Sequence, residues 1–165
     1  MIGESLGVQG QDREALAHLS RAVALSPDLV RAWYAKGVAH LHLGDLRMAV
    51  AAFDKVVELE PSHLEGWSNL GTARLELGMT ERAIEAYQHA CDLRPQSATV
   101  WENLGVAHSQ AGHAQRAVDA YDEAVRIDGS RASAWYYRGR TLEALELHEE
   151  ALDSYKGYRG RPNAH

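Results

Sequence analysis

The stretch WENLGVAHSQAGH, Trp101 to His113, decides how this chain folds. Gly105 lies in the middle of an otherwise helical segment, where glycine costs about 1 kcal/mol relative to alanine. The same stretch holds Glu102, His108 and His113, residue types that also serve metal sites and catalysis. It therefore has two interpretations, packing or chemistry, and the rest of the sequence distinguishes them.

The residue types of this stretch recur along the chain at intervals of 34 residues. A fixed period of about 20 to 50 residues is typical of an array of stacked structural units. The recurring residues are Trp33, Trp67, Trp101 and Trp135; Gly37, Gly71, Gly105 and Gly139, a series that reaches back to Gly3; Ala49, Ala83, Ala117 and Ala151; Phe53, Tyr87, Tyr121 and Tyr155; and Pro27, Pro61 and Pro95.

Each unit has the pattern of a helical hairpin. Trp67, Leu70 and Leu77 fall on one stripe of a first helix. A second helical pattern follows a turn at Gly78 and ends before Pro95, which cannot continue a helix. No run of residues alternates with a period of two, so the sequence predicts an all-α fold.

This pattern resembles the tetratricopeptide repeat over essentially the whole chain. The resemblance implies two antiparallel helices per unit, stacked into a right-handed superhelical solenoid whose concave wall is lined by the first helices. It predicts a single repeat domain, residues 1–165. Its parts are a partial N-terminal repeat at 1–29 and four repeats at 30–63, 64–97, 98–131 and 132–165.

The resemblance assigns the opening stretch to packing. It implies that Gly105 lets the first helix approach Ala117 of the second, which offsets the cost of the glycine. Trp101 is expected to be a wedge in the core, and Gly112 to form the turn between the helices.

The histidines do not have the spacing of a metal site. Two ligands on one helical face need a spacing of three or four, whereas His108 and His113 are five apart and His40 and His42 are two apart. We expect these side chains to diverge, and we predict no metal and no cofactor. Nucleophile-elbow, phosphate-loop and Cys-His patterns are also missing from the sequence, so we predict no catalytic residues and no enzyme activity.

Composition and charge exclude further function classes. The chain is 45% hydrophobic and 24% charged, a soluble globular composition. Its net charge of −6 argues against a nucleic-acid partner, because phosphate binding needs concentrated Lys and Arg. The sequence shows no secretory signal and no membrane span, and Cys91 has no cysteine to pair with, so we predict a cytoplasmic protein.

Function is then expected from the surface that packing leaves free. Counting Val30, Leu64, Ala98 and Ala132 as position 1, positions 2, 5, 6, 9, 12 and 13 align opposite the packing stripe and vary between repeats. The resemblance places them in a concave groove, which predicts a scaffold or adaptor that binds a peptide or protein segment. The predicted groove residues are Arg31, Tyr34, Val38, His42, Glu65, Ser68, Asn69, Thr72, Glu76, Glu102, Asn103, Val106, Gln110, Tyr136, Tyr137 and Arg140.

The amides of the predicted groove suggest how a peptide is held. Asn69 and Asn103 lie at position 6 of consecutive repeats, where an amide can pair with both the donor and the acceptor of an extended backbone. This resembles the asparagine ladders of peptide-binding members of the family. The alternative, two solvated amides, stays open.

The charges of the predicted groove suggest the chemistry of the ligand. Glu65, Glu76 and Glu102 favour a ligand that is basic or neutral at its centre, with Arg31 and Arg140 meeting acidic groups nearer its ends. The same glutamates would repel a C-terminal carboxylate, which argues against an adaptor for chaperone tails.

The fourth repeat departs most from the pattern. It has Glu146 at the glycine turn and Arg138 at a leucine position, and its polar ending KGYRGRPNAH, residues 156–165, predicts a frayed helix. This ending either caps the array or precedes further chain, since Pro162 lies one residue from where a closing proline is expected. Weak self-association through the repeat ends is also expected. Two alternative functions stay open: a self-assembling structural scaffold and the substrate-recruiting segment of a larger enzyme.

Overall fold

The structure is a computed structural model that describes the backbone of residues 2–159 and the side chains of residues 11–158. The described residues form nine α-helices and contain no strand. Backbone contacts divide the chain into two compact units, residues 1–79 and 80–165. The helices are α1 (Ile2–Leu25), α2 (Val30–His42), α3 (Leu46–Leu59), α4 (Leu64–Glu76), α5 (Thr80–Leu93), α6 (Ala98–Gln110), α7 (Ala114–Ile127), α8 (Ala132–Ala144) and α9 (His148–Arg159).

Within each unit, every helix packs on the next one along the chain. In the first unit α1 packs on α2, α2 on α3 and α3 on α4, and α2 also contacts α4. In the second unit the same order runs from α5 to α9, and α6 also contacts α8. The first helices of successive repeats are therefore neighbours, which places their variable positions on a common face within each unit.

A glycine of the first helix lies against an aromatic ring of the second helix in three hairpins. A Cβ atom added to Gly37, Gly105 or Gly139 would stand 2.6, 2.6 or 2.7 Å from a ring carbon of Phe53, Tyr121 or Tyr155, respectively. The three atoms nearest to a Cβ at Gly105 all belong to Tyr121, a residue that the sequence analysis did not name as its neighbour. Side chains of a helix lean toward its N-terminus, so the ring one turn further along reaches back over the glycine.

The four tryptophans close the turns that precede their own helices. Each is half-buried, and its indole N–H donates a hydrogen bond to the carbonyl oxygen six residues earlier. The acceptors are Pro27 for Trp33 (2.8 Å), Pro61 for Trp67 (2.8 Å), Pro95 for Trp101 (2.9 Å) and Gly129 for Trp135 (3.1 Å). The expectation that Trp101 is a wedge inside the core is corrected, because the indole must stay at the rim to reach this carbonyl.

The turns inside the hairpins need a left-handed residue. Gly44, Gly78 and Gly112 have φ angles of 76°, 74° and 77°, and the fourth turn places Glu146 there with a φ of 61°. In each turn the following N–H reaches back to the carbonyl of the last helical turn, as from His113 to His108 at 2.9 Å, which is the Schellman arrangement. Glu146 keeps the turn at a steric cost of about 1–2 kcal/mol that glycine avoids.

The last helix continues further than its sequence suggests. We expected fraying from Lys156, but α9 remains helical to Arg159. A Cβ at Gly157 would stand 2.9 Å from the ring of Trp135, so the glycine that weakens the helix also allows the indole to pack closely on it. Gly160, Arg161 and Pro162, which bear on the question of a cap or a continuing chain, lie outside the described residues.

Replacing Glu146 with glycine should relieve the strain of the fourth turn. We expect Glu146→Gly to raise the free energy of unfolding by about 0.5–1 kcal/mol in urea denaturation. The gain is smaller than the steric cost of the left-handed glutamate, because glycine loses more conformational entropy on folding. Glu146→Ala removes the carboxylate and keeps the strain, so it is the matched control and should not stabilise. Equal stability of the glycine and alanine variants would contradict this reading of the turn.

Adding one methyl group to Gly105 should weaken the α6–α7 hairpin. Alanine gains about 1 kcal/mol of helix propensity, but its Cβ overlaps the Tyr121 ring, so Gly105→Ala should cost about 1–3 kcal/mol net by overpacking. The control is Gly129→Ala, whose Cβ would meet only the Val125 carbonyl oxygen at 3.6 Å. If thermal unfolding showed Gly105→Ala to be as stable as the parent, the close glycine–ring contact would be refuted.

Candidate binding site

In the first unit, the predicted groove residues lie on the exposed sides of α2 and α4. None of them is buried. Arg31, His42, Glu65 and Glu76 are exposed, and Tyr34, Val38, Ser68, Asn69 and Thr72 are half-buried.

A hydrogen bond joins two of these residues across the face. The Asn69 side-chain amide donates to the Tyr34 hydroxyl at 3.1 Å. The Tyr34 ring also stacks on His63, with centroids 5.0 Å apart, and His63 caps α4 by accepting the Gly66 N–H at 3.0 Å. One of the two amide N–H donors of Asn69 is therefore engaged within the protein, while the second donor and the carbonyl oxygen keep hydrogen-bonding capacity for a ligand.

In the second unit, α6 and α8 enclose a cleft of about 620 Å³, here called the inner cleft. It brings together four predicted groove residues, Val106 and Gln110 from α6 and Tyr137 and Arg140 from α8. Tyr121 also borders the cleft. The other predicted groove residues of this unit, Glu102, Asn103 and Tyr136, do not line it. The remaining lining residues are Ser109, Gly112, Ala114, Thr141 and Ala144.

A second cleft of about 680 Å³, here called the outer cleft, shares Tyr137 with the inner one. Its aromatic side belongs to a group that we call the tyrosine cluster, Tyr136, Tyr137, Tyr155 and Tyr158. The Tyr136 centroid lies 5.6 Å from that of Tyr137, 5.6 Å from that of Tyr158 and 6.4 Å from that of Tyr155. The other lining residues are Asp128, Ser130, Arg131, Ala132 and Ser133.

Sequence reasoning missed Tyr158 and Arg131 at these clefts. Tyr158 was counted as part of a polar tail, although it takes the position that small Ala90 and Ala124 hold in earlier repeats. A large ring at a small-residue position was the signal that could have found it. Arg131 precedes α8 at the position where His63 caps α4, and a guanidinium cannot accept a hydrogen bond from the helix.

Arg131 turns toward α6 and engages Glu102. Its guanidinium lies 2.9 Å from the Glu102 carboxylate and donates to the Thr99 hydroxyl at 2.6 Å. The Glu102 side chain is only 12% exposed, so this carboxylate is neutralised by the protein. The expected contribution of Glu102 to an acidic groove centre is therefore corrected.

Asn103 and Arg140 have fewer polar partners within the protein than Asn69 and Glu102 have. Asn103 is half-buried on α6, and none of the described residues forms a hydrogen bond with its side chain. Arg140 is exposed, and its guanidinium lies 6.0 Å from the Tyr136 ring centroid without an acidic partner among the described side chains. These two groups retain hydrogen-bonding capacity for a ligand.

The prediction that His108 and His113 diverge is wrong. Their ring centroids are 5.7 Å apart, because the left-handed turn at Gly112 brings residue 113 back over the end of α6. Burial lowers the pKa of His108 below its usual value, and His113 and Arg116 lower it further against the opposing effects of Glu81 and Asp119. Within the described side chains, no group of three or more His, Cys, Asp or Glu could hold a metal ion.

The lone thiol is not placed for nucleophilic chemistry. Cys91 is buried on α5, and burial together with Asp92 raises its pKa to about 12. Because the thiolate is the reactive form, this side chain is inert at neutral pH.

Paired helices that repeat every 34 residues and leave one face of each first helix open define a helical repeat protein. The chain belongs to the tetratricopeptide-repeat family, since the family profile described as "Tetratricopeptide repeat" matches residues 1–63 and 102–165. A second profile, described as "TPR repeat", matches residues 72–112. A comparison with curated protein sequences gave no match. The predicted all-α repeat fold is confirmed.

Solved structures agree with this assignment. The crystal structure of MamA is 23% identical, with a TM-score of 0.89 over 97% of this chain and 94% of that one. MamA from Desulfovibrio magneticus RS-1, residues 41 to the end, is 23% identical, with a TM-score of 0.86 over 92% and 85%. YrrB, described as a TPR protein with an unusual peptide-binding site, is 21% identical, with a TM-score of 0.82 over 90% and 77%. At these sequence identities, the similarity to the solved structures shows the fold alone. No helix within residues 2–159 has the length and apolar character needed to cross a bilayer.

The histidine pair should make the second unit sensitive to acid. Since the folded protein lowers the pKa of His108 below 6.5, the unfolded chain binds this proton more readily, and stability is lost as pH falls through about 6.5 toward the folded value. We expect His108→Leu to show a smaller loss of unfolding free energy between about pH 7 and pH 5.5 than the parent. His113→Leu removes only the neighbouring charge and should give an intermediate result. Parallel pH profiles of parent and His108→Leu would refute the effect.

Proposed function

We propose that this protein binds an extended peptide segment of a partner protein on the exposed faces of its first helices. The first unit offers one such surface on α2 and α4, and the second unit offers another on α6 and α8. The observation that carries the proposal is the inner cleft, which gathers Val106, Gln110, Tyr137 and Arg140. Members of the tetratricopeptide-repeat family generally mediate protein–protein interactions, and the peptide-binding site described for YrrB is in keeping with this function.

The chemistry of the faces favours a polar, extended ligand. Tyrosine rings supply broad amphipathic contact area of the kind enriched in binding hot spots. Asn103 offers open donors and an acceptor to a backbone, and Asn69 offers its carbonyl oxygen and its second N–H. Both groups recognise peptide backbone independently of its side chains.

The exposed charges of each unit favour particular ligand residues. In the first unit, Glu65 and Glu76 are exposed on α4 and favour basic or neutral residues. In the second unit, Arg140 is exposed on α8 and favours an acidic residue. Glu102 no longer contributes, since Arg131 neutralises it. The proposed role is that of a non-catalytic adaptor.

A self-assembling scaffold is the second candidate function. The observation that favours it is Leu152 on α9, which is 56% exposed. Val118, the equivalent residue 34 positions earlier, is only 4% exposed and belongs to a cluster with Leu142 of α8. Sedimentation over a wide concentration range tests this candidate, and a monomer at all concentrations would remove it.

Peptide binding is tested with a phage-displayed library of 12-residue peptides selected on the immobilised protein. We expect Asn69→Ala with Asn103→Ala to weaken a selected peptide by about 1–3 kcal/mol, roughly 5- to 150-fold, in calorimetric titration. The melting temperature should stay nearly unchanged, because neither side chain is part of the core.

The matched control is Gln115→Ala, which removes an exposed amide from α7 outside the proposed faces. Its affinity for the selected peptide should equal that of the parent. A library that yields no binding peptide, or a selected peptide that binds Asn103→Ala and Tyr137→Ala as tightly as the parent, would refute the proposal.

A further inference from the structure

We infer that the tyrosine cluster recognises a proline-rich segment in the polyproline II conformation, with an acidic residue beside Arg140. The inference rests on the proposed function, because the cluster borders both clefts of the second unit. It goes further by naming the class of peptide and the part of the protein that selects it.

The geometry of the rings fits a rigid extended chain. Tyr136 meets Tyr137 at an interplanar angle of 62° and Tyr158 at 48°, so the rings form open angles and do not stack flat on one another. The Tyr136 centroid lies 5.6 Å from the centroids of both Tyr137 and Tyr158, so the three rings form one continuous aromatic surface. Flat proline rings dock against such aromatic surfaces in known recognition grooves.

The acidic groups around the outer cleft are already occupied. Asp128 accepts hydrogen bonds from the backbone N–H and the hydroxyl of Ser130, and Glu102 is bound by Arg131. Glu143 accepts the Tyr155 hydroxyl at 2.8 Å. Each of these carboxylates therefore has a partner within the protein, and each retains further acceptor sites.

Several open polar groups near the tyrosine cluster can donate hydrogen bonds. They are the Arg140 guanidinium and the hydroxyls of Tyr136, Tyr137 and Tyr158, for which the described residues provide no hydrogen-bond partner. Proline has no backbone N–H, so a proline-rich chain presents carbonyl oxygens and leaves no donor unpaired against these groups.

Charge and entropy favour the same ligand. Arg140 is exposed beside the Tyr136 ring and has no acidic partner among the described side chains, so a glutamate or aspartate of the ligand would complete an ion pair. A polyproline II segment is already extended before binding and loses little conformational entropy. An amphipathic helix is a poorer fit, because it needs a continuous apolar groove, whereas Ser130, Arg131 and Ser133 line the outer cleft.

The test uses two fluorescein-labelled ten-residue peptides, one of nine prolines and one glutamate, the other of alternating glycine and serine with the same glutamate. We expect the proline peptide to bind the full chain at least about 10-fold more tightly in fluorescence anisotropy, since the glycine–serine peptide is flexible. Tyr136→Leu should weaken the proline peptide by about 10-fold or more. Lys55→Ala, an exposed substitution on α3, is the control and should not change the affinity.

Three further variants separate the contributions of the Tyr158 ring, the Tyr158 hydroxyl and the Arg140 charge to binding. Tyr158→Phe keeps the ring and removes the hydroxyl, so it should weaken binding less than Tyr158→Leu does. Arg140→Gln should weaken the glutamate-containing peptide and leave an all-proline decamer unchanged. Circular dichroism and melting of Tyr136→Leu establish that it is folded, and the Tyr158 variants repeat the test at a second ring.

Equal affinity of the parent for the proline and the glycine–serine peptide would overturn this inference and leave the proposed function standing. So would a proline peptide that fails to bind while library-selected peptides bind. Unchanged binding in both Tyr136→Leu and Tyr158→Leu would overturn it as well. If neither the library nor the proline peptide binds, the proposed function falls together with the inference.

Discussion

The close approach of a glycine to an aromatic ring is the contact on which the hairpins depend. At Gly37, Gly105 and Gly139 no side chain separates the two helices, so each ring lies directly on the backbone of the first helix. The contact fixes the spacing within the hairpin and leaves the opposite face of the first helix uncovered. Packing therefore determines which residues are free to bind, because the same helix supplies a glycine inward and variable side chains outward.

The 34-residue period was sufficient to predict helix type and the approximate position of most turns. It predicted first and second helices, the turns at Gly78 and Gly112, and the anomalous turn at Glu146. It could not predict which atom meets Gly105, because that depends on how side chains lean along the second helix. The proximity of His108 and His113 was missed for a similar reason, since helical spacing does not extend across a left-handed turn.

The candidate site was less predictable than the fold. Positions on the open faces follow from helical geometry, and the predicted residues in the first unit are indeed unburied. The state of each charge depends on neighbours that are distant in sequence, as when Arg131 reaches back to Glu102. Tyr158 was hidden in a stretch whose average polarity concealed one large ring. Local patterns thus located the surface but not its hydrogen-bonding chemistry.

The fourth hairpin replaces apolar packing with polar contacts. Arg138 takes a position held by Leu70 and Leu104 in earlier repeats, and its guanidinium donates to Asp122 and to the fully buried Ser154. Ser154 in turn lies at a repeat position that holds alanine in the preceding repeats. The Arg138 side chain is 18% exposed and that of Asp122 is 48% exposed, so this ion pair lies at the edge of the packed region. The hairpin that carries the tyrosine cluster is thereby distinguished from the others.

The tryptophan hydrogen bonds give the molecule a built-in optical reporter at each joint between repeats. Each indole is half-exposed and tied to one carbonyl of the connection before its own helix. Opening of a joint would expose that indole to water and change its emission without any added label. A variant that retains a single tryptophan would therefore report the opening of one connection between repeats. A set of such variants would show the order in which these connections open during unfolding.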